Sequence, residues 1–311
     1  MTLVVCRKED HEVFVQSDSK VIDSFGTVNE RSLCQNDMVG GSLKTVILHP
    51  HICLSFAGNS LHATKFLKNF MDSNIREWDT PRLVIELRKV HNEFRLACEF
   101  ILCESVERSP RITWIKGGSV HVDQQNAWIG SQPAFNKYQT SLHKLDASVP
   151  LNQRMRHAFR EVIDDETLPE VGHFHIEVYL EHHFANTGLI GGGPDSVFAY
   201  EFKSEWDTGN QVFSINANEA TALQMGSAPD GAYGLSYFRS LSTKRQGVAV
   251  HFPHANFGIL MCPQVDCEKA IIFKDCVPTE FLDQILATYQ IAMEGVAVLS
   301  EKKFQLIRSE R

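Results

Sequence analysis

Two short apolar runs, Thr2–Arg7 and Glu12–Gln16, flank the polar segment Lys8–His11, a pattern that predicts an opening β-hairpin. Val21–Ser42 is polar and turn-rich. Leu43–Leu48 and Ile52–Phe56 then predict a second hairpin around His49-Pro50-His51. The hydrophobic period next changes to that of a helix. Ser60 can cap one helix with Phe66, Leu67, Phe70 and Met71 on a single face. Thr80-Pro81 opens another, carrying Leu83, Val84, Leu87, Val90 and Phe94. Strands are predicted again at Leu96–Cys103, Arg111–Ile115, Ser119–Val122 and Ala127–Ile129, with Gly117-Gly118 as a hairpin turn. Helical spacing is read from Pro133 to about Leu142, from Pro150 to Ile163 and from about Glu170 to Phe184. After the break at Gly191-Gly192-Gly193-Pro194 comes a last hairpin, Val197–Trp206 with Gln211–Ile215.

This order of strands, helices, strands, helices and strands implies an α+β fold. The expected architecture is a four-layer αββα sandwich, two antiparallel sheets between helix layers. Residues 216–230 lose periodicity and read as a connector. Beyond them lie strand-like Gly247–Phe252, Gly258–Cys262 and Ala270–Phe273, and a helix from Thr279 carrying Phe281, Ile285 and Tyr289. The expected division is therefore a domain over 1–216 and an appended α/β region over 217–311.

Composition narrows the function classes. The 311 residues are 43% hydrophobic and 22% charged, ordinary values for a chain with a sizeable core. A formal net charge of −8 with no basic block argues against nucleic acid or an anionic membrane as partner. No apolar run approaches membrane-spanning length, and the first residues lack the pattern of a secretory signal. A cytoplasmic location is expected, with the eight cysteines as free thiols.

Four short segments then carry a resemblance. Thr2 heads the first strand, with Asp18 in "VQSDS". "SLKTVILHPHICLSFAGNS" (Ser42–Ser60) holds Lys44 and Gly58. "SPRITWIKGGSVHV" is a hairpin with a glycine turn, and "AWIGSQPAF" precedes a helix. In this order, over about residues 2–215, the chain resembles the N-terminal-nucleophile hydrolases of the proteasome β-subunit type, which include the bacterial heat-shock-locus ring peptidase.

The resemblance implies a threonine peptidase or amidohydrolase without a cofactor. Removal of Met1 would expose Thr2, whose hydroxyl is the nucleophile and whose own amine, with a pKa of about 8, is the general base. Lys44 would favour the alkoxide, Asp18 would hold Lys44 charged, Ser131 would bond near the amine, and the Gly58 N–H would face the oxyanion. Val21, Ile22 and Ser60 would line an extended peptide substrate, and Phe56 would floor the pocket before the scissile bond. The implied assembly is a homo-oligomer, a ring, with an unfoldase or regulator as possible partner. The apolar faces after Pro133 (Ala134, Phe135, Tyr138, Leu142) and after Pro150 (Met155, Phe159, Val162, Ile163) are its expected contact surface, unless the helix from Thr279 covers them.

Other readings stand beside these. Thr2 is also an ordinary strand residue, Asp18 a turn-capping aspartate, Lys44 a solvated lysine and Gly58 a loop glycine. The stretch between Asp18 and Lys44 is longer than in the family, Gln132 follows Gly130-Ser131, and "NTGLIGGGPDS" stands where an Asp-x-x-Ser-Gly segment is expected. An inactive copy of the fold serving as an assembly or recognition module is the alternative. A third class uses "HFHIEVYLEHHF": if helical, His175 with Glu181 or His182 would converge as metal ligands. Cys262 and Cys267 with His251 and His254 lack zinc-site spacing. No metal is assigned from these patterns.

Overall fold

The computed structural model describes residues 2–18, 41–42, 44–49, 51–59, 62–63, 66–67, 79–93, 98–106, 109–168, 170–171, 175–183, 195–204, 211–215, 234–241, 248–252, 256–262, 265, 271–300 and 303–309. The fold is α+β, with antiparallel sheets and, among the described residues, four helices. The first sheet has the order β12-β11-β10-β2-β1-β9. Its strands are β1 (Leu3–Glu9), β2 (Glu12–Ser17), β9 (Asn126–Gly130), β10 (Ile176–His183), β11 (Asp195–Ser204) and β12 (Gln211–Ile215). The second, β4-β5-β6-β7-β8, comprises Thr45–His49, Ile52–Gly58, Cys98–Val106, Ser109–Lys116 and Ser119–His121. The third, β16-β15-β14-β13-β17-β18, is formed by β13 (Gly234–Ser240), β14 (Val248–Phe252), β15 (Phe257–Met261), β16 (Ile271–Phe273), β17 (Met293–Ser300) and β18 (Lys303–Arg308). The short strand β3 (Gly41–Ser42) pairs with β13.

Three apolar cores hold these layers. The largest joins Val4, Cys6, Val13 and Val15 of the first sheet to Cys53, Leu54, Ile101 and Cys103 of the second. Cys6 Sγ and Cys103 Sγ meet at 3.5 Å, so this is a sheet-to-sheet contact. Burial pushes the Cys6 and Cys53 thiols up, and they act as small hydrophobes. The predicted helix at Thr80 is α1 (Thr80–Glu93). It buries Leu83, Leu87 and His91. Its His91 Nδ1 donates to the Cys98 carbonyl at 2.6 Å, and Nε2 accepts from Gly118 N–H at 2.9 Å.

Helices α2 (Gln132–Lys144) and α3 (Leu151–Ile163) form a second core with Leu3, Val5 and Phe14. This corrects the expectation that their apolar faces are left for a neighbouring subunit. Ala134, Tyr138, Leu142, Met155, Phe159 and Val162 are buried against the first sheet, while Phe135 and Ile163 are half-buried beside them. Helix α4 (Pro278–Tyr289) does not cover that surface either. It packs Phe281, Leu282 and Ile285 on the third sheet in a core of its own.

The helix expected from Glu170 to Phe184 is instead strand β10, between β2 and β11. Ile176, Val178 and Leu180 alternate with Glu177, Tyr179 and Glu181, a period of two that places the aliphatic residues in the large core. Glu177, fully buried on the other face, is satisfied by Gln16 Nε2 at 3.2 Å and by Arg156 through Nε at 2.9 Å and a second nitrogen at 3.1 Å. In a strand, His175 and His182 stand roughly 23 Å apart, which ends the helical metal-site reading. Among the described residues no group of three potential metal ligands converges. Strands β13, β17 and β18 lie in segments where no element was expected. No helix is long and apolar enough to cross a membrane among the described residues.

Candidate functional site

The register of the first hairpin builds the site. Val4 pairs with Ser17, so the next pair outward is Leu3 with Asp18, and Thr2 follows at the end of β1. Asp18 N–H donates to Leu3 O at 3.3 Å, while the Asp18 carboxylate accepts the Leu3 N–H at 3.0 Å and the Thr2 hydroxyl. Sixteen residues of sequence are closed by a tight turn at Asp10, whose φ is +51°. Thr2 is 1% exposed and Asp18 is fully buried.

β9 fixes Thr2 from the other side. Leu3 pairs with Gly130, and the Ser131 N–H donates to the Thr2 carbonyl at 2.7 Å. Gly130 has φ +98°, and a Cβ there would lie 1.9 Å from the Thr2 carbonyl oxygen. Only glycine permits this approach. The buried Ser131 hydroxyl caps α2 by accepting from Ala134 N–H at 3.2 Å. It donates to Glu170 Oε1 at 2.6 Å. Glu170 is the residue that the sequence reading missed. Its signal is faint, because it falls where the sequence predicts the start of a helix and nothing beside it points to Ser131.

Lys44 lies just before β4 and is 5% exposed. Burial lowers its pKa, against the opposing attraction of the Asp18 carboxylate. A buried ammonium of this kind stays charged only with an anion nearby. The β4–β5 hairpin carries Lys44 to its place, with Phe56 N–H donating to Lys44 O at 2.9 Å. Gly58 closes β5, exposed and with φ +98°, directly opposite Cys98. The Cys98 thiol is pushed up to about 12 by burial and by Glu99, so it is a neutral neighbour and no rival nucleophile.

Thr2, Asp18, Lys44 and Ser131 therefore converge through direct hydrogen bonds or electrostatic contact, with Gly58 linked through Cys98. Phe56 is buried on the face of β5 opposite Cys53, aligned with Phe100, whose ring is 6.4 Å from that of Phe66. Val21, Ile22 and Ser60 lie outside the described residues. The arrangement gives a buried hydroxyl whose proton has a carboxylate acceptor, with a cation within electrostatic reach of that carboxylate.

No protein-family model matches the chain, and no match is found among curated proteins. Among solved structures, the chain is similar to the crystal structure of eukaryotic HslV from Trypanosoma brucei. The TM-score is 0.39 at 18% identity, over 54% of this chain and 93% of that one.

Proposed function

We propose that the chain is a threonine-type peptidase or amidohydrolase that uses Thr2 after removal of Met1. The proposed frame is a proteasome-like four-layer αββα sandwich over 1–216 with 217–311 appended. The observation that carries this reading is the Thr2 hydroxyl hydrogen-bonded to the buried Asp18 carboxylate, with the buried Lys44 electrostatically coupled to that carboxylate. An ordinary strand threonine needs neither group.

In the proposed reaction the freed Thr2 amine takes the hydroxyl proton, and the oxygen attacks the substrate carbonyl. Lys44 stabilises the negative oxygen, and Asp18 keeps Lys44 charged. The Gly58 N–H would serve the oxyanion, where losing a comparable donor costs about 3–4 kcal/mol. The protonated Thr2 amine gives its proton to the leaving amine as the scissile C–N bond breaks, which leaves an ester on Thr2; water, deprotonated by the same amine, then cleaves that ester, releases the acid and restores the hydroxyl. Val21, Ile22, Ser60 and Phe56 are the proposed substrate-side residues. A peptide or protein substrate, a homo-oligomer with an unfoldase or regulatory partner, and a cytoplasmic location complete the reading.

One observation favours the second reading, an inactive copy that acts as an assembly or recognition module: Thr2 is 1% exposed, with little room for a substrate carbonyl. Mass spectrometry of intact purified protein, before and after a β-lactone probe, separates the two. The peptidase reading expects loss of Met1 and one adduct on Thr2. Thr2→Ala should take no adduct and melt within a few degrees of the wild type. A wild-type chain that keeps Met1 and stays unlabelled overturns the proposal.

A further inference from the structure

A cavity of about 230 Å³ opens between β1, β9, β7 and α2, beside Val5, Cys6 and Arg7 in the middle of β1. Its lining includes none of Thr2, Asp18, Lys44, Gly58 and Ser131, and along β1 it runs from Val5, roughly 10 Å from Thr2, to Arg7, roughly 17 Å away, so it is separate from the candidate catalytic site.

Its lining is unusual in one respect: it holds donors and no acid. Arg7 supplies a permanent cation, and Asn126 and Gln139 add two amides. Trp114 and Tyr138 line it as well, and both the Trp114 Nε1 and the Tyr138 hydroxyl are buried without a hydrogen-bond partner. Tyr138 is fully buried, and burial pushes its phenol up, so it remains a protonated donor. Among the described residues Arg7 makes no ion pair with a carboxylate. Buried donors are nearly always satisfied in native proteins, and two unmet ones around one cavity beside a free cation call for an acceptor from outside. The charge to be matched is a single positive one. The guanidinium fork suits a planar two-oxygen group. Phe135 gives the cavity an apolar wall.

We propose that this cavity binds a small organic monocarboxylate, its carboxylate held by Arg7, Trp114 and Tyr138 and its apolar body against Phe135. Benzoate is the probe, with the isosteric neutral benzamide as control. In proton–nitrogen correlation spectra of the full-length protein, the Trp114 indole signal is assigned by its loss in Trp114→Phe. Benzoate should shift that signal saturably, and benzamide should bind at least about tenfold more weakly, since it cannot pair with the guanidinium. Arg7→Met should weaken benzoate to a similar extent. Should Arg7→Met not fold, Trp114→Phe keeps the ring packing and removes only the donor. That variant should weaken benzoate binding followed by the fluorescence of the remaining tryptophans. No saturable shift with benzoate, equal binding of benzamide, or unchanged affinity in the folded variants overturns the proposal.

Discussion

Lys44 brings an ammonium into a site that is almost entirely dry, and its lowered pKa records the desolvation it suffers there. The compensating charge is Asp18, which also holds the Thr2 hydroxyl and the Leu3 N–H. Removing the lysine strands that carboxylate. Lys44→Met should therefore cost about 3–5 kcal/mol in urea unfolding, the usual penalty for breaking a buried charge pair. It should also abolish β-lactone labelling of Thr2. The double variant Lys44→Met with Asp18→Asn should recover most of the stability and none of the labelling, because the two side chains act as one unit. Additive losses in the double variant would mean that the two charges do not interact. In the sequence Thr2, Asp18, Lys44 and Ser131 are joined only through the resemblance; the fold sets Thr2 against Asp18 and Ser131, with Lys44 acting on Asp18, and their catalytic roles are the proposal. Glu170 was not legible there: nothing local distinguishes a carboxylate that reaches Ser131 across 39 residues from one in a helix's first turn.

At the scale of elements, the hairpins and the helices α1 to α4 were readable, since each has a clear period and a turn or proline at its edge. β10 is easily taken for a helix because Tyr179 stands among the glutamates on one side of the alternation and His182 follows the aliphatic residues on the other, which blurs its period of two. What decides the matter is the long-range pairing with β2 and β11, which no local window contains. The third sheet has a related feature in His251 on β14. Its Nε2 donates to the Cys276 carbonyl at 2.7 Å, while Nδ1 is buried without a partner. Burial lowers its pKa to about 4, against the opposing effect of the Cys276 bond. The folded state thus keeps this ring neutral while the unfolded chain protonates it near pH 6.5. Its contribution to stability is complete above about pH 6.5 and falls as pH drops toward 4, by about 3 kcal/mol in all. Urea unfolding at pH 7.5 and 4.5 should show a larger acid loss for the wild type than for His251→Gln, which has an N–H donor but does not titrate. Equal losses would remove His251 as the cause.

Across the whole molecule, the decisive feature is how the third sheet is used on both faces. Ala249 and Leu260 join Phe281 and Ile285 of α4 in the C-terminal core. Val250, Phe252 and Ile259, one step along the same strands, join the large core of the first two sheets. β3 adds a backbone link, Ser42 to Gly234 and Gly41 to Leu235, from the N-terminal half to β13. The loss of periodicity at 216–230 marks a division in chain order, and the sheet beyond it still shares its packing with the first two. The exposed large hydrophobics among the described residues, Ile85, Val122, Val277 and Leu306, are single side chains on different elements, and single exposed side chains need no partner to explain them. Among the described residues, then, the large apolar side chains are mostly packed inside the chain, by the C-terminal sheet as much as by α2 and α3. Cutting at residue 216 would open the large core where Val250, Phe252 and Ile259 enter it, at about 1.5–3 kcal/mol for each large side chain, and would leave an apolar face to aggregate. The fragment 1–216 should therefore be recovered mostly insoluble, or bind a hydrophobic dye strongly, while the full chain does neither. A fragment that is soluble, dye-negative and cooperatively folded would show that residues 217–311 are dispensable to the core and assign their role elsewhere.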